Sequence, residues 1–595
     1  MISFFKNMIR MENLSDTGGY GRLEWWDIRR LEAQGCTASD WSQVRIASGC
    51  DLSLIRDVRF SGRVEIGVLR SGSGGEWRGI ENVALHDCRL GDGVSVRNIG
   101  VAIRGYEIGD DATVENVGLM EYEPEASCGV GRQVCVLDET GSRPVTIYPG
   151  LSAQLAALMA RKPKWADDYL KPLLEAVAES MSVPGRIGAG AVVINTEEVR
   201  NVFIDREVRI EGASRLSDGS VINNAAPGKC LARIGAGVSA SRFILEDGIL
   251  DGGATLEGAY VGQGARVDKG FTAHDSLFFA NCTCENGEGC ALFAGPYTTT
   301  MHKSTLLIGA LTHFMNAGSG TNQSNHLYKM GPVHWGILER GVKTSSGSYV
   351  MWGAKIGAFS LLVGNHKMHP DSSEFPFSYL FGDERGGTIV VPGIMLRSSG
   401  LLRDEKKWPL RERRGRRKLP IHDRINFEVL NPVTVGAMAR ALPLISELRK
   451  RPADDDRYVR YKGLKLRVSN LERASRFYTL GICKYLHIKT GDGPFPESHK
   501  SEAEDWIDLA GQFVERSCLD RVMEAESVEE MERILSESHE HYAELEREWI
   551  ATALREWRDR PSEIASGAAE FDKMMEEDRR SYLDSLAEEN AMLAL

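Results

Sequence analysis

The sequence predicts a mainly β chain built on a parallel β-helix of hexapeptide repeats, with a short helical insertion and a C-terminal α-helical module. Three observations predict it. Aliphatic residues recur every sixth position, as in Ile204, Ile210, Leu216 and Ile222, with small or polar residues between them. Glycine is abundant between about residues 60 and 400, where tight corners need residues that turn sharply. After about residue 425 glycine becomes sparse and Glu, Arg, Ala, Leu and Met take over at helical spacing.

Residues 1–59 form an N-terminal cap ahead of the repeats, which occupy 60–400. Shorter hexads carry the same reading: Leu90-Gly91-Asp92-Gly93 leads to Val96, Ile108-Gly109-Asp110-Asp111 to Val114, and Val261-Gly262-Gln263-Gly264 to Val267. Between about 277 and 350 the hexad fades into aromatic or clustered apolar residues, so the coils there are expected to be irregular. In the interval 149–184, Leu151, Leu155 and Leu158, then Trp165, Tyr169, Leu173 and Val177, have helical spacing and predict two short helices standing off the side. Residues 401–429 form a basic linker, with eight of the thirteen residues from Lys406 to Lys418 basic. It is either a solvated connection or a clamp for phosphate, which arginine binds in bidentate fashion. In the α-helical module, 430–595, Val528, Met531, Leu535, Tyr542, Leu545, Trp549 and Ala553 mark one long amphipathic helix ending near Pro561. Its stripe reads as core or oligomer contact, with a partner surface as the sharper alternative.

Composition bounds the function. The chain has 595 residues, 42% hydrophobic, with 84 acidic against 72 basic residues and a net charge of -12, which argues against a general nucleic-acid binder. No apolar run approaches the ~20 residues of a membrane span. Lys6 and Arg10 follow Met1–Phe5 without the apolar core of a secretory signal, and eleven scattered cysteines suit reduced thiols. A cytoplasmic protein with no membrane partner is expected.

Seven of the thirteen histidines fall between His274 and His369, among polar clusters such as Asn322-Gln323-Ser324-Asn325-His326-Leu327-Tyr328-Lys329 and Gly364-Asn365-His366-Lys367-Met368-His369-Pro370-Asp371. Imidazole, amide and ammonium groups at this density suit a hydroxylated or phosphorylated ligand and a general base. The expected proton-transfer residues are His274, His326, His334 and His366; the expected ligand contacts are Asn322, Asn325, Lys329, Asp371, Arg413 and Arg414. The structural alternative is a polar ladder along stacked coils. His366-x-x-His369 and Cys282-x-Cys284-x5-Cys290 have metal-ligand residue types, but without a second CxxC pair they read as structural, and no metal is assigned.

Two resemblances sharpen this reading. Ala273-His274-Asp275, after hexads, resembles the Ala-His-Asp or Ala-His-Asn stretch of left-handed β-helix acyltransferases that modify nucleotide-sugars, in which the His is the general base. More broadly, Leu31-Glu32-Ala33-Gln34-Gly35-Cys36-Thr37, His302-Lys303-Ser304-Thr305, Asn322-Gln323-Ser324-Asn325-His326, Gly331-Pro332-Val333-His334 and Pro376-Phe377-Ser378-Tyr379-Leu380 are similar to a large uncharacterised bacterial family of hexapeptide-repeat proteins. The resemblances imply a left-handed helix, packed as a trimer, acting on a sugar phosphate or nucleotide-sugar by acyl transfer, with acyl-CoA as a possible donor. The other class is a non-catalytic metabolite-binding or assembly scaffold.

Overall fold

The computed structural model describes residues 19–71, 77–161, 170–175, 185–324, 333–414, 421–454, 457–491, 495–498 and 500–593. Short parallel strands stack one upon the next, and asparagine turns many of the corners. Asn82, Asn98, Asn116 and Asn195 all take a left-handed backbone (φ 51°, 55°, 53° and 53°), which Asn tolerates better than most residues. Their amides join in a ladder, Asn82 to Asn98 at 3.4 Å, Asn98 to Asn116 at 3.2 Å and Asn116 to Asn195 at 3.1 Å. Within the stack, register brings Val193, Ile210, Ile234, Leu250, Val267 and Cys284 into one buried column. Ile204, Leu216 and Ile222 are buried as well, so the aliphatic period marks inward positions.

The period did not determine how the strands close. The expected left-handed β-helix is corrected: six strands close into a parallel barrel, with many more hydrogen-bonded outside it. Ile80–Leu90, Ile103–Arg104, Leu119–Glu121, Glu198–Ile204, Gly185–Ile187 and Tyr106–Ile108 each pair in parallel with the next, and the last returns to the first. The two long strands make this possible. Ile80–Leu90 reaches Ile103–Arg104 through Leu85 and His86, then Tyr106–Ile108 through Arg89 and Leu90. A hexad reports which side chains face inward, but not how far a strand runs before it bends. The chain is also 29% helical against 32% strand, so "mainly β" is corrected too.

The helical insertion does not stand off the side. In the helix Ala153–Arg161 every residue from Ala153 to Ala160 is buried, because the C-terminal module covers the face that the β-region leaves free. Gln154 fixes this contact, its Nε2 donating to the carbonyls of Arg424, Leu509 and Ala510 at 3.0, 3.3 and 3.2 Å. The basic stretch begins inside a helix, Ser399–Leu410, capped by the Ser398 hydroxyl.

The single helix expected through Ala553 is two, Val528–Glu540 and Tyr542–Ala553, broken where the His541 ring donates from Nδ1 to the Glu537 carbonyl at 2.9 Å. Pro561 opens the helix Pro561–Leu593 instead of following one, as proline does at a first helical position, where its missing N–H has no intrahelical partner to lose. Val528, Met531, Leu535, Tyr542 and Trp549 lie in the module's core. No described helix is long and apolar enough to cross a membrane.

Candidate functional site

The parallel register builds one face of a cavity. Leu311 pairs with Ile337, Ile337 with Lys355, and Lys355 with Asp371, so these four residues stand in one column. Their neighbours Leu338 and Ile356 point inward and are fully buried, which turns the column toward the helical module. Two positions further along each turn come His313, Glu339 and Ser373. Opposite them are the helix Pro432–Lys450 and the hairpin of Trp506–Leu509 with Gln512–Glu515. Arg161 enters from the end of the insertion helix, and together these parts enclose about 550 Å³.

Charge organises the cavity. Arg340 donates from Nε to Asp508 Oδ2 at 2.5 Å, and His313 Nε2 lies 3.1 Å from the same oxygen. Burial opposes ionisation of Asp508, but the charges of Arg340 and then His313 outweigh it and hold the carboxyl well below its usual range. Glu339 goes the other way. Burial pushes it up to about 7, against the pull of Lys355, whose ammonium is 3.6 Å away. Its side chain stays 28% exposed, so a carboxyl that titrates near neutrality faces an accessible space. Among the described residues no cluster of three or more His, Cys, Asp or Glu is arranged to hold a metal ion.

The residues selected by sequence scatter. Asp371 alone among them lines this cavity. His274 sits on an open cleft of about 540 Å³ with Arg242 and Arg132, its Nδ1 3.3 Å from Asp275. His334 is part-exposed on another turn, where its charge is felt by Asp138. His366 is fully buried with Nδ1 3.0 Å from the Thr388 hydroxyl, and burial lowers its pKa to about 4. Asn322 accepts from the Ser324 hydroxyl at 2.9 Å. Asn325, His326 and Lys329 lie outside the described residues.

Arg413 and Arg414 lock their segment to the β-region. Arg413 donates to the Asn281 carbonyl and the Thr283 hydroxyl, while Arg414, 2% exposed, pairs with Glu412 and donates to the Asp423 carbonyl. Sequence reasoning missed Glu339, Lys355, Arg161, Asp508 and Arg516. Its one available signal was the charged pair Glu339-Arg340 inside an apolar, glycine-flanked stretch.

The geometry defines a class: a stack of parallel strands, part of it closed into a barrel, roofed by a helical module, with an ionisable cavity where the two meet. Residues 20–449 match a domain of unknown function (DUF4954), and the chain belongs to that family. The match contains the cavity's floor and Arg161 and ends before Asp508 and Arg516. An uncharacterized protein of Treponema pallidum (strain Nichols) is 24% identical over 474 residues, 71% of this chain and 61% of that protein. The chain thus aligns with less than two thirds of that relative's length. Membership in an uncharacterised family was expected; neither match carries the likeness to hexapeptide-repeat proteins or to acyltransferases.

Proposed function

We propose that the junction cavity binds a sugar phosphate or nucleotide-sugar and that the reaction is acyl transfer from an acyl-CoA thioester: Glu339 takes the proton of a ligand hydroxyl, the oxygen forms the new ester bond as the thioester C–S bond breaks, and the CoA thiolate leaves and is protonated. The observation that carries this is the Glu339 carboxyl, held at about 7 and open to a cavity edged by cations. A general base works best when its pKa lies near the operating pH. The volume, about 550 Å³, falls within the roughly 300–1,000 Å³ of small-molecule sites. His274 and His366 give up the base role assigned from sequence, since one lies on a separate cleft and the other is buried and neutral. A trimer belongs to the same proposal and is read by light scattering.

Mass spectrometry of small molecules retained on the purified protein, combined with Glu339→Gln, tests the reading. The wild type is expected to retain a sugar phosphate or nucleotide-sugar. The variant is expected to keep the ligand and lose turnover by about 10² to 10⁴, the range of general-base catalysis. A wild type that retains nothing and is not stabilised by any sugar phosphate overturns it. Retention without turnover in either protein supports the non-catalytic reading.

A further inference from the structure

The lining of the junction cavity holds six guanidinium or ammonium groups and five carboxylates. Four of the cations use all five acids. Arg340 pairs with Asp508 at 2.5 Å and Arg440 with Asp505 at 3.1 Å; Lys355 lies 3.6 Å from Glu339, and Lys462 faces Glu374 at 3.1 Å and Asp371 at 3.8 Å. Arg161 and Arg516 remain. Neither side chain has a hydrogen-bond or ion-pair partner among the described residues.

The two come from opposite sides of the junction. Arg161 ends the insertion helix, and Arg516 begins the helix Arg516–Glu524, positioned by its backbone N–H donating to the Asp505 carbonyl at 3.0 Å. Burial lowers the pKa of Arg161; Asp508 and Glu339 partly restore it, and the charge of Arg516 lowers it again, so the two guanidinium groups lie within electrostatic reach of each other. Arg161 is thus desolvated, only partly compensated by Asp508 and Glu339, and set near the exposed Arg516, a second cation of like sign, which is unfavourable. An anion with oxygens for both relieves this, because guanidinium forks match phosphoryl oxygens in bidentate fashion.

We propose that Arg161 and Arg516 form an anion subsite that receives a dianionic phosphoryl group. The proposal rests on the junction cavity being the ligand site and assigns the phosphoryl end of that ligand to these two side chains. Two guanidinium groups facing one space match the two negative charges of a dianion better than the single charge of a carboxylate. A monoester phosphate and the diphosphate of a nucleotide-sugar share this chemistry.

Calorimetric titration of the full chain with inorganic phosphate, with acetate as the singly charged control, tests the subsite. Phosphate is expected to bind the wild type and acetate to bind more weakly. Arg161→Gln and Arg516→Gln should each weaken phosphate by about tenfold or more, with Arg161→Lys recovering part of the loss. Without phosphate, Arg161→Gln should melt no lower than the wild type, since it removes an unmatched charge, and added phosphate should raise the melting temperature of the wild type alone. Equal phosphate binding by the wild type and both glutamine variants overturns the subsite, as does a wild type that ignores phosphate at millimolar concentration. If a sugar phosphate is nevertheless retained and its turnover depends on Glu339, the cavity stands and only this subsite falls.

Discussion

Arg340 reaches Asp508 at 2.5 Å across 168 residues of sequence, joining a turn of the β-region to the hairpin of the helical module. Its other nitrogens donate to the carbonyls of Asn426 and Gly511 at 2.7 and 2.8 Å, and its guanidinium lies 4.2 Å and 4.5 Å from the ring centroids of Phe314 and Phe513. Such planar stacking with a full set of acceptors is a task for arginine, not lysine. Removing one member of a buried pair typically costs about 3 to 5 kcal/mol, because the other charge is left without compensation. Arg340→Met should therefore lower the urea midpoint strongly and Arg340→Lys should recover little of it. Adding Asp508→Leu to Arg340→Met should restore part of the loss. A single variant as stable as the wild type would show that the junction does not depend on this pair.

Glu339 gives the junction a pH dependence of definite sign. Its folded value of about 7 stands above the ordinary 4.5, so folding disfavours the ionised form. The unfolded chain releases this proton first, and stability falls as pH rises from 4.5 to about 7, then levels off. Glu339→Gln should remove that slope and be the more stable protein above pH 7. Urea midpoints for both proteins across this range decide it; parallel curves would mean that Glu339 titrates as an ordinary surface carboxyl.

Much of the β-region is written in local pattern, because a side chain that must face inward and an Asn that must turn a corner are each fixed by neighbours a few residues away. Leu216 and Ile222 are buried as their spacing requires, and the Asn98 corner repeats at Asn116. The closure of six strands depends on the length of Ile80–Leu90 and on pairing as remote as Tyr106 with Gly185, which no hexad records. The junction cavity is less legible still. Arg161, Glu339 and Asp508 are far apart in sequence, and nothing near any of them announces the others. Histidine density does not record burial: His366 occupies an inward position with Nδ1 beside the Thr388 hydroxyl, while His274 lies on a separate cleft.

His366 therefore tests the structural role of that cluster. The folded protein holds it neutral, at about 4 against an ordinary 6.5, so its contribution is present above 6.5 and is lost as pH falls toward 4. His366→Ala empties an inward site and leaves the Thr388 hydroxyl without its ring partner; an unsatisfied buried polar group costs roughly 1 to 3 kcal/mol. The variant should melt earlier, lose part of the acid sensitivity between 6.5 and 4, and retain the same small molecules as the wild type. Unchanged melting with loss of retained ligand would instead return His366 to the binding site.

Glu246 and His422 form the second deep ionic contact between the β-region and the segment that follows the basic stretch. Glu246 is fully buried and accepts from the Gly150 N–H at 2.8 Å, the Asn224 amide at 2.9 Å and the Tyr260 hydroxyl at 2.9 Å, with His422 Nε2 at 2.8 Å. Burial opposes its ionisation, but His422 and these donors hold Glu246 at about 2. Burial likewise opposes protonation of His422, and Glu246 overrides it to raise the imidazole above 6.5. The signs are opposite. Stability from the depressed carboxyl is present above 4.5 and lost as pH falls toward 2, whereas stability from the raised imidazole is present below 6.5 and lost as pH climbs through its folded value. The pair thus contributes most between 4.5 and 6.5. His422→Gln should cost about 3 to 5 kcal/mol in that window by leaving a buried carboxylate without its cation. It should also move the acid limb upward, because Glu246 then protonates more readily. Glu246→Gln should be the milder change, since His422 can shed its proton and remain neutral in place. Urea midpoints for both variants across pH 4.5 to 6.5 check this; equal losses, or an acid limb that does not move in His422→Gln, would show that the neutral donors alone hold Glu246 ionised.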